Sequence, residues 1–314
     1  YRSDRLPSPE PLGASDRDPL GELLPLAHAA GLEVHAWVNC CLVWSGERRP
    51  RDPRHVVNAH PEWVARLADG RPMTALSPRQ RARLQVEGVY LAPGHPGVRA
   101  HLAAVVAELA SRYPVDGVHL DYIRQPGVAV GFDPTTRARF ALESGLDPLV
   151  ASRLPAHERA AFDSAWSAFQ LEQVTAIVRA VRDTLQAVRP GAVLSAAVVA
   201  DTVAAFRHKR QAWTRWVREG LLDRAFLMCY ATPVQTVLGQ LQPLAGAEES
   251  ERIVPGIAVY NTPAHTAATK IKAARALGFP RIALYSYDSL YERPGLWDRL
   301  RGSLAVTPTT EIRP

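Results

Sequence analysis

Apolar residues in this chain come in short runs bounded by turn-forming residues, the signature of buried strands. Six runs stand out, at residues 34–39, 115–121, 193–199, 225–230, 253–259 and 281–286. Between them the apolar positions recur with helical spacing, most clearly over 20–30, 98–111, 169–188, 213–219 and 266–277, and several of these stretches close on Gly or Pro. Strand and helix in alternation predict a parallel sheet. The last three strands begin roughly 28 to 31 residues apart, the length of one βα unit around a barrel.

Within the first two runs the alternation has a direction. His35, Trp37 and Asn39 share one face and Val34, Ala36 and Val38 the other; His119 and Asp121 oppose Val118 and Leu120 in the same way. A polar face on a central strand suits the lining of a closed barrel. A doubly wound sheet would carry a Gly-rich phosphate turn after its first strand, but the chain there reads Cys40-Cys41-Leu42-Val43-Trp44. The expected fold is therefore a (β/α)8 TIM barrel. Only six strands are visible where a complete barrel needs eight, so either two N-terminal strands are absent from the chain or two strands carry no clear apolar run. The expected organisation is a single barrel domain over 1–305 and a loose tail over 306–314.

Two connections, 40–96 and 127–163, exceed simple turns and follow the C-terminal ends of strands. That is the end where barrel enzymes build their sites, which makes both segments candidate walls or lids.

Composition adjusts this picture only a little. The 314 residues are 47% hydrophobic, enough for a large core, and no run is long and apolar enough to span a bilayer. The net charge of +6 comes from arginines scattered among acidic residues, and the basic stretch 79–83 has no aromatic neighbours on which bases would stack, so no nucleic-acid partner is expected. Three cysteines, two of them adjacent, form neither a disulfide framework nor a metal knuckle. No cofactor motif is present, and nothing in the sequence speaks to oligomeric state. The chain begins at Tyr1 without a charged-then-apolar leader, as expected of an internal piece of a longer precursor.

The chemistry concentrates where strand 115–121 turns polar. Asp121 is placed at the barrel mouth on the face of His119, with Arg124 three residues on. Glycosidic cleavage needs one carboxyl to protonate the leaving oxygen and a second as nucleophile or base. Asp121 is the first candidate, although a turn cap or an ion pair with Arg124 would explain it equally well. Asp116, at the strand's entry, reads as structural. Candidate partners for Asp121 are Asp201 and Asp288, each after an apolar run; a helix N-cap is the competing role, favoured for Asp288.

Asn39, Trp37, His119, Arg124, Tyr230, Tyr260, Asn261 and Tyr287 fall at or near strand ends, where rings stack on sugars and polar groups bond their hydroxyls. Trp44 and Trp63 lie on the long first connection. The histidines have no close ligand spacing, so no metal is expected. Two other readings stay open: a non-catalytic carbohydrate-binding barrel, and a metal-dependent hydrolase assembled from His35, His119 and Asp121.

The segments Gly31-Leu32-Glu33-Val34-His35-Ala36-Trp37-Val38-Asn39, His60-Pro61-Glu62-Trp63, Tyr90-Leu91-Ala92-Pro93-Gly94 and 116–126 resemble glycosyl-hydrolase-like family 10 in sequence, order and spacing. Later landmarks are similar too: Asp201, Gln211-Ala212-Trp213, Gly220-Leu221-Leu222-Asp223, Met228-Cys229-Tyr230 and Ser286-Tyr287-Asp288. The resemblance implies a (β/α)8 barrel in a bacterial envelope or secreted protein acting on polysaccharide or oligosaccharide, with cell-wall glycan among the substrates. It also implies a strand, helix and strand ahead of the part matched here, with any leader in that portion. Gln125 departs from the family, which often has an aromatic residue at this place.

Overall fold

The computed structural model describes residues 1–8 and 17–305, so the expected tail at 306–314 lies outside the described residues. Its strands are β1 (His35–Asn39), β2 (Leu42–Trp44), β3 (Val89–Tyr90), β4 (Gly117–Asp121), β5 (Val193–Val198), β6 (Arg224–Cys229), β7 (Ile253–Ala258) and β8 (Ala283–Tyr285). All six predicted strands form. The pair β2 and β3, antiparallel to each other, lies inside the connection 40–96. The described residues group into two compact units, one holding Tyr1–Ala196 and Val203–Asp223, the other Ala197–Thr202 and the residues from Arg224 on.

In the first unit β1 runs parallel to β4, with Trp37 beside His119 and Asn39 beside Asp121. On its other side β4 runs parallel to the start of β5, with His119 beside Ser195. Residues in register on parallel neighbours point to the same face, so the polar positions of all three strands form one surface. The opposite face is apolar: Ala36, Val118, Leu120, Leu194 and Ala196 are buried.

Helices Pro96–Arg112 and Ala156–Val188 pack together in this unit. Leu102, Val105, Val106 and Leu109 of one helix, and Val174, Ile177, Val178, Val181 and Leu185 of the other, are all buried. Their three- and four-residue spacing is an apolar stripe, and each such side chain contributes about 1.5–3 kcal/mol when fully removed from water. The longer helix begins well before the predicted 169, and its first turns carry Phe162 and Trp166 into a small aromatic cluster with Phe140 and Phe169.

Two contacts fix where β4 begins. Asp116 accepts hydrogen bonds from the Val34 backbone N–H at 2.7 Å and is 2.9 Å from His28 Nε2, which ties helix Pro19–Ala29 to the strand entry. At Gly117 a Cβ would meet His35 Nδ1 at 2.4 Å and the Val193 carbonyl oxygen at 2.6 Å, so only glycine lets the His35 ring lie over the strand.

In the second unit β6, β7 and β8 are parallel, and every residue of β7 is buried. Gly256 allows close approach: a Cβ there would sit 2.8 Å from the Leu227 carbonyl oxygen. Helices Val234–Leu241, Ala264–Ala276 and Leu296–Ala305 complete the unit. Parallel strands separated by helices run through both units, the repeat of a (β/α)8 barrel, of which the described residues supply six strands. Among these residues no helix is long and apolar enough to cross a membrane.

Candidate active site

Asp121 is the last residue of β4, and its side chain is largely buried at 7% exposure. Oδ1 accepts a 2.6 Å hydrogen bond from the Tyr122 N–H, and the Trp37 side chain also donates to the carboxyl group. Burial is the stronger influence: it raises the Asp121 pKa above the usual value, against the opposing pull of the Tyr122 N–H, the Arg124 charge and Trp37. A carboxyl that holds its proton more tightly than usual, at the C-terminal end of a barrel strand, is suited to donate that proton to a leaving oxygen.

The backbone turns sharply at this point. Tyr122 has φ of 49°, a left-handed conformation unfavourable for a bulky residue. Hydrogen bonds from Cys40 N–H to the Asp121 carbonyl at 2.8 Å and from Cys41 N–H to the Tyr122 carbonyl at 3.1 Å hold it in place. Both cysteines are free and fully buried, and burial pushes the Cys41 thiol up to about 12, so they act as packing groups.

The neighbours on the same face are Trp37, Asn39 and His119. Trp37 is 55% exposed and meets the His119 ring edge-on at 6.0 Å. The Ser195 hydroxyl donates to the Val118 carbonyl at 3.4 Å and accepts from His119 Nδ1, 2.9 Å away. Burial, helped by His35, lowers the His119 pKa to about 4, so its ring is neutral at neutral pH. Asn39 is exposed at the end of β1. Along the length of β1 lies a cleft of about 720 Å³, lined by the strand from Val34 to Asn39 and by residues including Leu23, Trp44 and Val105.

Arg124 is buried beneath the turn. Its Nη2 bonds Glu87 at 2.9 Å and its guanidinium lies 4.8 Å from the centre of the Tyr122 ring. Glu87 also accepts from the Tyr90 hydroxyl at 2.9 Å; burial would raise its pKa, but the Arg124 charge and these bonds hold it below the usual range. Glu87 is therefore an engaged counter-ion. Gln125 is buried too, so the aromatic position of the family is filled here by an amide away from solvent.

The second unit gathers a different set. Tyr230 stacks on Tyr285 at 5.0 Å, and Tyr260, half-exposed, meets both edge-on at 6.2 and 6.0 Å. Asn261 donates to the Tyr230 carbonyl at 3.0 Å, and the buried Lys270 ammonium donates to the Ala231 carbonyl at 2.7 Å and reaches Thr262 Oγ1 at 3.3 Å, fixing the loops that carry the rings. Asp201 and Asp288 are exposed, Asp288 in the first turn of helix Tyr287–Glu292. Tyr287 is highly exposed and stacks on Tyr291 at 6.4 Å.

The structure thus brings Trp37, Asn39, His119, Asp121 and Arg124 together in one unit and Tyr230, Tyr260 and Asn261 in the other. Glu87 and Ser195 were not singled out by sequence reasoning. Ser195 is placed by strand register and Glu87 by the loop ahead of β3, and no local signal reveals either. Trp63 is stacked on His60 at 3.7 Å and covers Gly97, so it fastens its loop to helix Pro96–Arg112. Among the described residues no three His, Cys, Asp or Glu side chains converge as a metal site; His35, His119 and Asp121 form none.

The family model for glycosyl hydrolase-like 10 matches residues 2–274. The chain belongs to the glycosyl hydrolase-like 10 family. Glycosyl hydrolase DigH of Escherichia coli strain K12 is 34% identical over 123 residues, 38% of this chain and 26% of the relative. The match thus spans about a quarter of that curated relative's length. In fold, the chain is similar to the PgaB (BpsB) glycoside hydrolase domain from Bordetella bronchiseptica, with TM-score 0.58 and 15% identity over 90% of this chain and 78% of that one. It is also similar to alpha-L-fucosidase isoenzyme 2 from Paenibacillus thiaminolyticus, with TM-score 0.56 and 14% identity over 92% and 39% of the two chains.

Proposed function

We propose that this glycosyl hydrolase-like 10 member cleaves O-glycosidic bonds in a polysaccharide outside the bacterial cytoplasm, with Asp121 as a catalytic carboxyl. The observation that carries the reading is the placement of Asp121: buried, at the C-terminal end of a barrel strand, with raised proton affinity and an open tryptophan beside it. In this reading the Asp121 carboxyl, with its raised proton affinity, protonates the leaving oxygen, and a second carboxylate serves as nucleophile or base. Trp37 offers a ring face to a sugar, while Asn39 bonds hydroxyls. Cell-wall glycan is the first substrate to try, on the strength of the family resemblance.

The test is a screen of the full chain against denuded peptidoglycan strands and a panel of polysaccharides, with Asp121→Asn as control. Release of new reducing ends by the parent chain and a loss of about 10² to 10⁴ in rate by the variant are expected. Cleavage of a confirmed substrate at full rate by Asp121→Asn would remove the assignment.

A further inference from the structure

Arg124 is 6% exposed, bonds Glu87 through Nη2, and leaves Nε and Nη1 buried without a hydrogen-bond partner among the described residues. A second cation stands nearby. Lys209, the last residue of helix Thr202–Lys209, is half-buried, and its ammonium makes no hydrogen bond or ion pair among the described residues. Burial first, and then the like charge of Arg124, hold its pKa below the ordinary lysine value, while Glu87 pulls the other way. With the Asp121 carboxyl in its protonated form, two cations therefore share one carboxylate, already bonded to Arg124 and Tyr90.

The backbone keeps Lys209 at this place. Gln125 N–H donates to the Lys209 carbonyl at 2.9 Å and Gln211 Nε2 to the Ile123 carbonyl at 3.4 Å, stitching the end of that helix to the segment that follows Asp121. Gly127, on the same segment, is exposed, and a Cβ there would lie 3.2 Å from Lys209 Nζ. The ammonium thus borders the surface at a residue with no side chain to cover it. A partly desolvated cation without a counter-ion is unfavourable in the free protein, and an incoming anion relieves that penalty through a charge-assisted hydrogen bond.

We propose that Lys209, with Arg124 behind it, binds a carboxylate carried by the glycan beside the bond that Asp121 acts on, so that the substrate is an acidic polysaccharide. This rests on the proposed role of Asp121. With Asp121 protonated, or replaced by Asn, one carboxylate would balance the single positive charge left over by Arg124, Lys209 and Glu87. The shared chemistry is a carboxylate on a sugar, whether from a uronic acid or from a cell-wall sugar.

The test measures binding by calorimetry in the Asp121→Asn background, so that hydrolysis plays no part. The probes are polygalacturonate and its methyl ester, and denuded peptidoglycan strands and the same strands amidated with a carbodiimide. Neutralising the carboxylates should weaken binding of at least one glycan about tenfold. Whichever pair responds names the source of the carboxylate. Adding Lys209→Met should cost the same tenfold for the charged glycan and nothing for its neutral form, and Lys209→Arg should restore most of it. Equal affinity for charged and neutral forms of both glycans, no binding to either, or a preference that survives in Lys209→Met overturns the proposal. Hydrolysis of a neutral glycan with charge-independent binding would sink this inference and leave Asp121 in place; charge-dependent binding without any hydrolysis by the parent chain would do the reverse.

Discussion

The Trp37 side chain hydrogen-bonds the Asp121 carboxyl across the β1–β4 pair, two register positions along from its own neighbour, His119. The indole N–H is its only donor, and it favours the ionised carboxylate, opposing the upward pull of burial. Trp37→Phe keeps a ring face but removes the donor. The Asp121 pKa should then rise further, and the limb of the kcat/KM profile that reports this carboxyl should move to higher pH. An unchanged limb would mean that the bond does not tune the acid.

Asp121→Asn should stabilise the folded chain at neutral pH. Because the folded pKa lies above the unfolded one, the carboxyl's favourable contribution is fully present below about pH 4 and is lost as pH rises through the folded value. The amide never ionises and escapes that loss. The variant should therefore melt higher than the parent at pH 7 to 8, with the gap closing in acid. Thermal unfolding followed by circular dichroism across pH 3.5 to 8 reads this directly; a gap that widens in acid would reverse the sign.

His119 predicts the opposite slope. Its folded pKa of about 4 lies below the ordinary 6.5, so its contribution is full above 6.5 and disappears as pH falls toward 4. The span corresponds to roughly 3 kcal/mol as an upper figure. In His119→Gln, urea unfolding measured at pH 7.5, 5.5 and 4 should show a shallower decline than in the parent. Ser195→Ala tests the ring's partner separately: leaving His119 Nδ1 unpaired should cost about 1–3 kcal/mol.

Gly117→Ala should destabilise by about 1–3 kcal/mol in urea unfolding, because one of the atoms its methyl would strike is a backbone carbonyl of the neighbouring strand. Adding His35→Ala removes only the ring clash. The double variant should therefore recover part of the loss and no more; full recovery would assign the whole effect to the ring.

The six parallel strands were readable because each lies in an apolar run of six or seven residues, longer than the strand itself for the three-residue β8, and Asp121 was readable because it sits at the polar end of such a run. The β2–β3 pair was not: its three and two residues sit inside the long connection 40–96, with no apolar run of that length around them to mark a strand. The front of helix Ala156–Val188 was hidden because Pro155, Asp163 and the polar residues between them read as loop, whereas Phe162 and Trp166 turn out to supply its buried face. Glu87 stands 34 positions from Asp121 along the chain in its bond to Arg124's neighbourhood. Only the tertiary fold of the loop ahead of β3 brings it there, and a lysine at a helix end such as Lys209 reads from sequence as an ordinary solvated charge.

The exposed indole of Trp37 gives this protein an optical indicator of its own. Trp166, Trp213 and Trp216 are buried in the scaffold, whereas Trp37 offers its emission to whatever lies on its open face and is hydrogen-bonded to the carboxyl that defines the site. Titrating that carboxyl, or laying a sugar ring over the indole, changes the field around one chromophore. Comparing the intrinsic fluorescence of the parent with Trp37→Phe isolates that signal, so occupancy and protonation become visible without a label, a coupled assay or a turnover event.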